Sequence, residues 1–313
     1  MARPTHHSAW LALACWLALA GGDERTATPT LDAEDEAILA RQTRCAVQAA
    51  PARVVFNRIA RTASTTMLTL MLSAARRKGF RVVGGNWTAA RASVPPPYIY
   101  EAPLWYGDVS SEEGGLTWIN MVRAPAKLFG SQYYYQRDCA CKILPASTCP
   151  RELPNVANVI PHFCQMTIDH AVATWNATFR AGVLKSFFPG PGILVDVFCG
   201  TRDPTCHTDD MRAKYDIARR RVAGDYLFIG SVERLEESML LQQRLLPTFY
   251  EGVDVRAFAR LHANPGAKQL DPKPSLSTIR EVQTALQWDV KLYAFIDRLL
   301  DQRLRACNLT RAE

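Results

Sequence analysis

This chain lacks an apolar run as long as the roughly 20 residues of a comfortable membrane span. Its N-terminal stretch, residues 9–20, has about twelve. The signature G-x-x-x-x-G-K-[ST] is also missing, which sets aside the usual nucleoside-triphosphate loop and disfavours a nucleotide kinase. No segment repeats, so a solenoid or propeller is not indicated. Cys139-Ala140-Cys141 has no second cysteine pair at matching spacing, as zinc sites usually do, and no metal is expected. Only 21% of residues are charged against 48% apolar, unlike a disordered chain. What is present is a chain of 313 residues, long enough for one large domain, with a formal net charge of +7. A basic balance favours acidic partners: nucleic acid, anionic lipid or anionic polysaccharide.

Compartment decides among these. Arg3 and two histidines precede residues 9–20, and Gly21-Gly22 and an acidic, polar stretch follow. A basic start, a short apolar run and the small-residue site Ala18-Leu19-Ala20 read as a secretory signal over residues 1–20, with a short signal-anchor as second choice. A buried helix of the fold fits less well before a polar linker. Positive charge before the run and acid after it direct the bulk of the chain to the lumen in either case. Beyond Cys15, eight cysteines are left: Cys45, Cys139, Cys141, Cys149, Cys164, Cys199, Cys206 and Cys307. An even set suits disulfides in an oxidising compartment. Sequons beginning at Asn86, Asn176 and Asn308 permit N-glycans there. This setting argues against a nucleic-acid partner.

Residues 21–50 are polar and weakly patterned, as a stem or linker would be, and residues 51–313 are expected to form the folded domain. Residues 54–59 read as a buried strand, followed by a polar loop and a helix over 66–75 that ends in basic residues and Gly79. A second unit pairs a strand at 117–122 with a helix over 125–137, and Pro125 suits its first turn. A third pairs a strand at 226–230 with a helix over 232–246. Residues 276–305 show helical periodicity in two pieces, and 139–164 reads as irregular chain pinned by disulfides. Strands alternating with helices predict an α/β fold with a central parallel sheet flanked by helices.

In such sheets ligands sit at the carboxyl ends of strands. That singles out the loop of Arg61, Thr62, Ala63, Ser64, Thr65 and Thr66, together with Arg123. A Ser/Thr-rich loop entering a helix offers N–H groups and hydroxyls to a phosphate, and Arg61 adds a charge suited to developing negative charge. Taken alone, the loop is equally compatible with an ordinary helix cap; for Arg123 the plain alternative is a surface ion pair.

Several ordered motifs narrow the choice. The stretch Asn57-Arg58-Ile59-Ala60-Arg61-Thr62-Ala63-Ser64-Thr65 resembles the phosphosulfate loop of the glycosaminoglycan (heparan sulfate and uronyl) 2-O-sulfotransferases. The resemblance continues through Ile119-Asn120-Met121-Val122-Arg123-Ala124-Pro125, Ser131, Tyr133-Tyr134-Tyr135, Phe198-Cys199-Gly200, Phe228-Ile229-Gly230-Ser231-Val232-Glu233-Arg234-Leu235-Glu236 and Leu246-Pro247-Thr248-Phe249-Tyr250. It implies a P-loop-like sulfotransferase fold and transfer of a sulfuryl group from PAPS (3′-phosphoadenosine 5′-phosphosulfate) to a carbohydrate hydroxyl. The expected acceptor is the 2-O position of a uronic acid in an anionic polysaccharide. The expected location is the Golgi lumen, in a single-pass type II or secreted protein, with a homo-oligomer left open. By the same resemblance, residues 61–65 would wrap the 5′-phosphosulfate, Arg123 and Ser131 would grip the 3′-phosphate, and Arg58 would lie near the acceptor sugar. Cys199 and Cys206 would form a disulfide. Arg61 stands where the family usually has lysine, which keeps the charge and changes the donor geometry.

The match fails at the proton acceptor. The family's base is a histidine between the first loop and the Arg123 strand, and the corresponding residues 98–106 contain none. Glu101 is the substitute base suggested here, with Arg61 as its catalytic partner and a solvated glutamate as the plain alternative. His162, His170, His207 or His262 would have to reach the site from elsewhere. A lumenal polysaccharide-binding protein with impaired catalysis is the rival reading.

Overall fold

The computed structural model describes residues 29–42, 44–48, 50–109, 115–145, 147, 149, 163–174, 192–260 and 273–309. The expected signal at 1–20 lies outside them. Residues 31–313 form one compact unit. In chain order its elements are α1 (Ala33–Leu39), β1 (Arg53–Asn57), α2 (Ser64–Lys78), β2 (Arg81–Val83), α3 (Trp87–Ser93), β3 (Tyr98–Ala102) and β4 (Leu116–Val122). Then come α4 (Pro125–Ala140), α5 (Ile168–Ala173), α6 (Ile193–Cys199), α7 (Met211–Gly224), β5 (Tyr226–Ser231), α8 (Leu235–Leu245), α9 (Pro247–Tyr250), α10 (Val255–Arg260), α11 (Leu276–Ala285) and α12 (Gln287–Ala306).

The five strands form one sheet in the order β2-β3-β1-β4-β5, every neighbouring pair parallel. This is the α/β architecture expected of a sulfotransferase. Parallel strands are covered on both faces, which is why β1 is a continuous apolar run. Val54 and Phe56 pack with Met67, Leu70 and Met71 of α2 and with Met239 and Leu245 of α8. Val55, facing the other way, packs with Leu194 and Phe198 of α6 and Val222 of α7. Each such fully buried side chain contributes about 1.5–3 kcal/mol of transfer free energy. Long α12 lies along β5 and serves both layers, with Phe295 and Leu299 in one and Leu300 and Leu304 in the other. A third cluster joins Phe129 and Tyr133 of α4 to Ile168 of α5 and Val282 of α11.

Helix α2 runs longer than its periodicity suggested and stops at Gly79, whose φ of 77° lets its N–H reach Ala75 O. Beyond β5, a 3-10 turn over Val232–Arg234 precedes α8, and Pro247 opens the next short helix. Strands β2 and β3 and helices α3, α6 and α7 have no counterpart in the sequence reading. β2 is three residues long, and α7 carries so many charges that its buried face is masked.

The stretch read as a stem holds structure of its own. Asp32 and Asp35 form a reciprocal cap on α1. Arg219 of α7, almost fully buried, donates to Asp32 at 3.2 Å, to Asp35 at 2.8 Å and to Asp216 at 2.9 Å, and also pairs with Glu34. These acidic residues are the partners of a buried cation, which a polar composition does not reveal. Cys45 bonds Cys307 across 262 positions. Further disulfides join Cys139 to Cys149, Cys141 to Cys164 and Cys199 to Cys206.

Candidate functional site

Because all five strands are parallel, their carboxyl ends gather on one side. The chain leaves β1 toward β2 at one edge and leaves β4 toward β5 at the other, so a crevice opens where these neighbours diverge. The loop after β1 occupies it. Arg61 and Ala63 have φ of 67° and 58°, a left-handed conformation that costs non-glycine residues on the order of 1–2 kcal/mol each. Strain held at two positions in three is a feature of functional turns. The loop is braced from inside: Thr62 Oγ1 and Ser64 Oγ donate to Ile59 O at 2.8 and 2.7 Å. Thr62 is fully buried and Thr66 nearly so, whereas Thr65 is exposed. Ala63 at the start of α2 makes no side-chain cap hydrogen bond, and the first turn of the helix begins at the crevice.

The β4 side supplies the cations. Arg123 follows β4 directly, and its Nη1 donates to Arg61 O at 3.4 Å. Its Nε is buried without a hydrogen-bond partner. Ser131 of α4 accepts from Arg61 Nε at 3.2 Å, and the Arg61 guanidinium lies 4.5 Å above the Tyr135 ring. Burial pushes both guanidiniums below their ordinary range. Tyr135 opposes this at Arg61 while the like charge of Arg123 adds to it, and Glu233 opposes it at Arg123. Glu233 also holds the turn, accepting from Ala124 N at 3.1 Å, Ser231 Oγ at 3.1 Å and Tyr293 OH at 3.0 Å. Beneath the loop, Asn57 Nδ2 donates to Tyr226 OH at 2.7 Å, and Asn120 Nδ2 donates to Asn57 O at 2.7 Å and Oδ1 at 2.9 Å, locking β1 to β4 and β5.

A buried guanidinium N–H without a partner, a second arginine beside it and an uncapped helix start together fit a polyanionic ligand such as a phosphosulfate nucleotide. The phosphate groups would meet Arg123, Ser131, Arg61 and the N–H groups of residues 62–66.

The β3 side is sparser. Glu101 stands at the carboxyl end of β3, where Arg58 N donates to Ala102 O at 2.8 Å. Its carboxylate, 16% exposed, lies 3.5 Å from Arg58 Nη1. Gly84 permits that seat, since a Cβ there would come within 3.1 Å of Glu101 O and 3.4 Å of its Oε1. His207 Nε2 is instead 2.9 Å from Thr201 O, beyond the end of α6, and His170 is exposed on α5. His162, His262 and Asn176 lie outside the described residues. Asn86 and Asn308 are exposed, with Asn86 Oδ1 capping α3. Cys139 and Cys141 are each spent in a disulfide, and among the described residues no group of three or more His, Cys, Asp or Glu is placed to hold a metal. No helix among them is long and apolar enough to cross a membrane.

Sequence reasoning missed Glu233 and Tyr293 as supports of the Arg123 turn. The signal available for Tyr135 was its spacing: it lies one turn after Ser131, so both meet Arg61 from one face of α4.

No family model matches this chain. Uronyl 2-sulfotransferase of Homo sapiens is 22% identical over 218 residues, covering 65% of this chain and 50% of that protein. Uronyl 2-sulfotransferase of Mus musculus gives the same figures. The chain spans about half the length of the curated relatives it matches. Similarity at this level supports a relationship to sulfotransferases. It does not single out the 2-O subtype.

Proposed function

We propose that this chain is a PAPS-dependent sulfotransferase acting on a carbohydrate hydroxyl, with the 2-O position of a uronic acid in an anionic polysaccharide as the preferred acceptor. The observation that carries this reading is the convergence of Arg61, Ser131 and the partly unpartnered Arg123 on the uncapped start of α2. Arg123 and Ser131 bind the 3′-phosphate, and the N–H groups of residues 62–66 bind the 5′-phosphosulfate. The acceptor oxygen attacks sulfur, the bond from sulfur to the bridging oxygen breaks, and the electron pair leaves with the 5′-phosphate. Glu101 takes the hydroxyl proton. Arg58 binds the acceptor: a uronate carboxylate would compete for its guanidinium and leave Glu101 facing the hydroxyl. Four disulfides accord with an oxidising compartment, and the Golgi lumen is the proposed location, reached through residues 1–20 as a signal or type II anchor.

The engagement of Glu101 by Arg58, with no histidine in residues 98–106, favours one second reading: a non-catalytic polysaccharide-binding protein on the same fold. Purified protein incubated with radiolabelled PAPS and a panel of glycans separates the two. Label transferred to a uronic-acid polymer supports the enzyme. Retained binding of PAP, the desulfated product, without transfer to any glycan would establish the second reading instead.

A further inference from the structure

The side chain of Arg61 lies on the Ser131 side of its loop. With φ at 67°, the residue turns toward α4, where Nε donates to Ser131 Oγ at 3.2 Å and the guanidinium stacks 4.5 Å above Tyr135. Arg123 approaches the same point, its Nη1 on the Arg61 carbonyl at 3.4 Å and its buried Nε without a partner. Neither arginine forms an ion pair with a carboxylate among the described residues. Glu233, the acid whose charge reaches Arg123, already accepts from Ala124 N, Ser231 and Tyr293. Glu233 offsets part of this charge at Arg123, and two half-buried like charges remain unfavourable unless an anion joins them. Ser131 accepts from Arg61, so its own proton is left to donate to that anion.

On the donor-binding reading proposed above, we infer that Arg61 belongs to the 3′-phosphate pocket with Ser131 and Arg123, and is a specificity-determining residue for the 3′-phosphorylated nucleotide. Its planar fork, fixed by stacking and by the Ser131 bond, suits two oxygens of one phosphate. The bridging oxygen is then served by the N–H groups at the start of α2, not by a side-chain cation from position 61.

Calorimetric titration of PAP and of 5′-AMP, which differ only in the 3′-phosphate, tests this on the wild type, Arg61→Met and Arg61→Lys. Tighter binding of PAP by the wild type is what the donor reading requires, and equal affinities would overturn that reading and this inference with it. Given such a preference, Arg61→Met is expected to lose roughly ten- to hundredfold in PAP affinity with AMP affinity unchanged. Arg61→Lys keeps the charge but loses the Nε donor and the stacked plane, and is expected to fall part of the way. A variant that keeps the wild-type ratio of PAP to AMP affinity, whether both hold or both fall, overturns the inference and returns Arg61 to the phosphosulfate. Should Arg61→Met fail to fold, Arg61→Lys carries the same two outcomes.

Discussion

On the β4 side of β1, Arg61, Ser131 and Arg123 come from three separate segments and are cross-braced by Glu233, Tyr135 and the Asn57–Asn120 pair. On the β3 side, Glu101 and Arg58 meet through a single contact of 3.5 Å, with Gly84 leaving room behind. The first arrangement is set before any ligand arrives, as binding of a fixed donor requires. The second is one ion pair that an acidic sugar can split. The contrast suits a protein whose donor is invariant and whose acceptor is one position on a variable polymer.

The largest test of this contrast is Glu101→Gln. Turnover should fall by about 10²–10⁴-fold, as for loss of a general base, while PAP affinity is unchanged. Single-turnover transfer from labelled PAPS measures it, and near-normal rates would move the base elsewhere. Next in size, replacing Cys45 and Cys307 together by serine removes the tie across 262 positions. It should cost about 2–5 kcal/mol in denaturant unfolding. PAP affinity should hold at temperatures where the variant is folded. Arg123→Ala attacks the braced side directly and should weaken PAP binding roughly ten- to hundredfold. Unchanged affinity would count against the assigned 3′-phosphate site. The smallest effect is expected for Ala63→Gly, which relieves the left-handed strain and should stabilise the fold by about 1 kcal/mol. A lower melting temperature for that variant would show that the strain relieved at Ala63 is smaller than the conformational entropy glycine adds to the unfolded chain.

The same contrast governs what could be read from the sequence. Val54, Val55 and Phe56 announce a strand because both their faces are buried, and the loop after them announces a helix start through its Ser/Thr content. Arg123 is legible because a strand, an arginine and a helix-opening proline follow one another. These are local signals, and they locate the β4 side of the crevice. Glu233 is different: its bond to Ala124 spans 109 positions, and only the pairing of β4 with β5 brings the two together. Arg219 is one of three consecutive arginines, and nothing local marks it as buried until α1 supplies its carboxylates. β3 escaped notice because a five-residue strand rich in tyrosine between proline-rich segments has no clear period. Its place beside β1 is what makes Glu101 a candidate at all.

Equilibrium binding of the product PAP to the wild-type protein tests most directly whether this crevice is the proposed two-ended clamp for PAPS. Saturable, one-to-one binding of PAP is expected, at least about tenfold tighter than 5′-AMP, since one charged phosphate contact is worth that much. Failure to bind PAP, or binding of PAP and 5′-AMP with equal affinity, would contradict it.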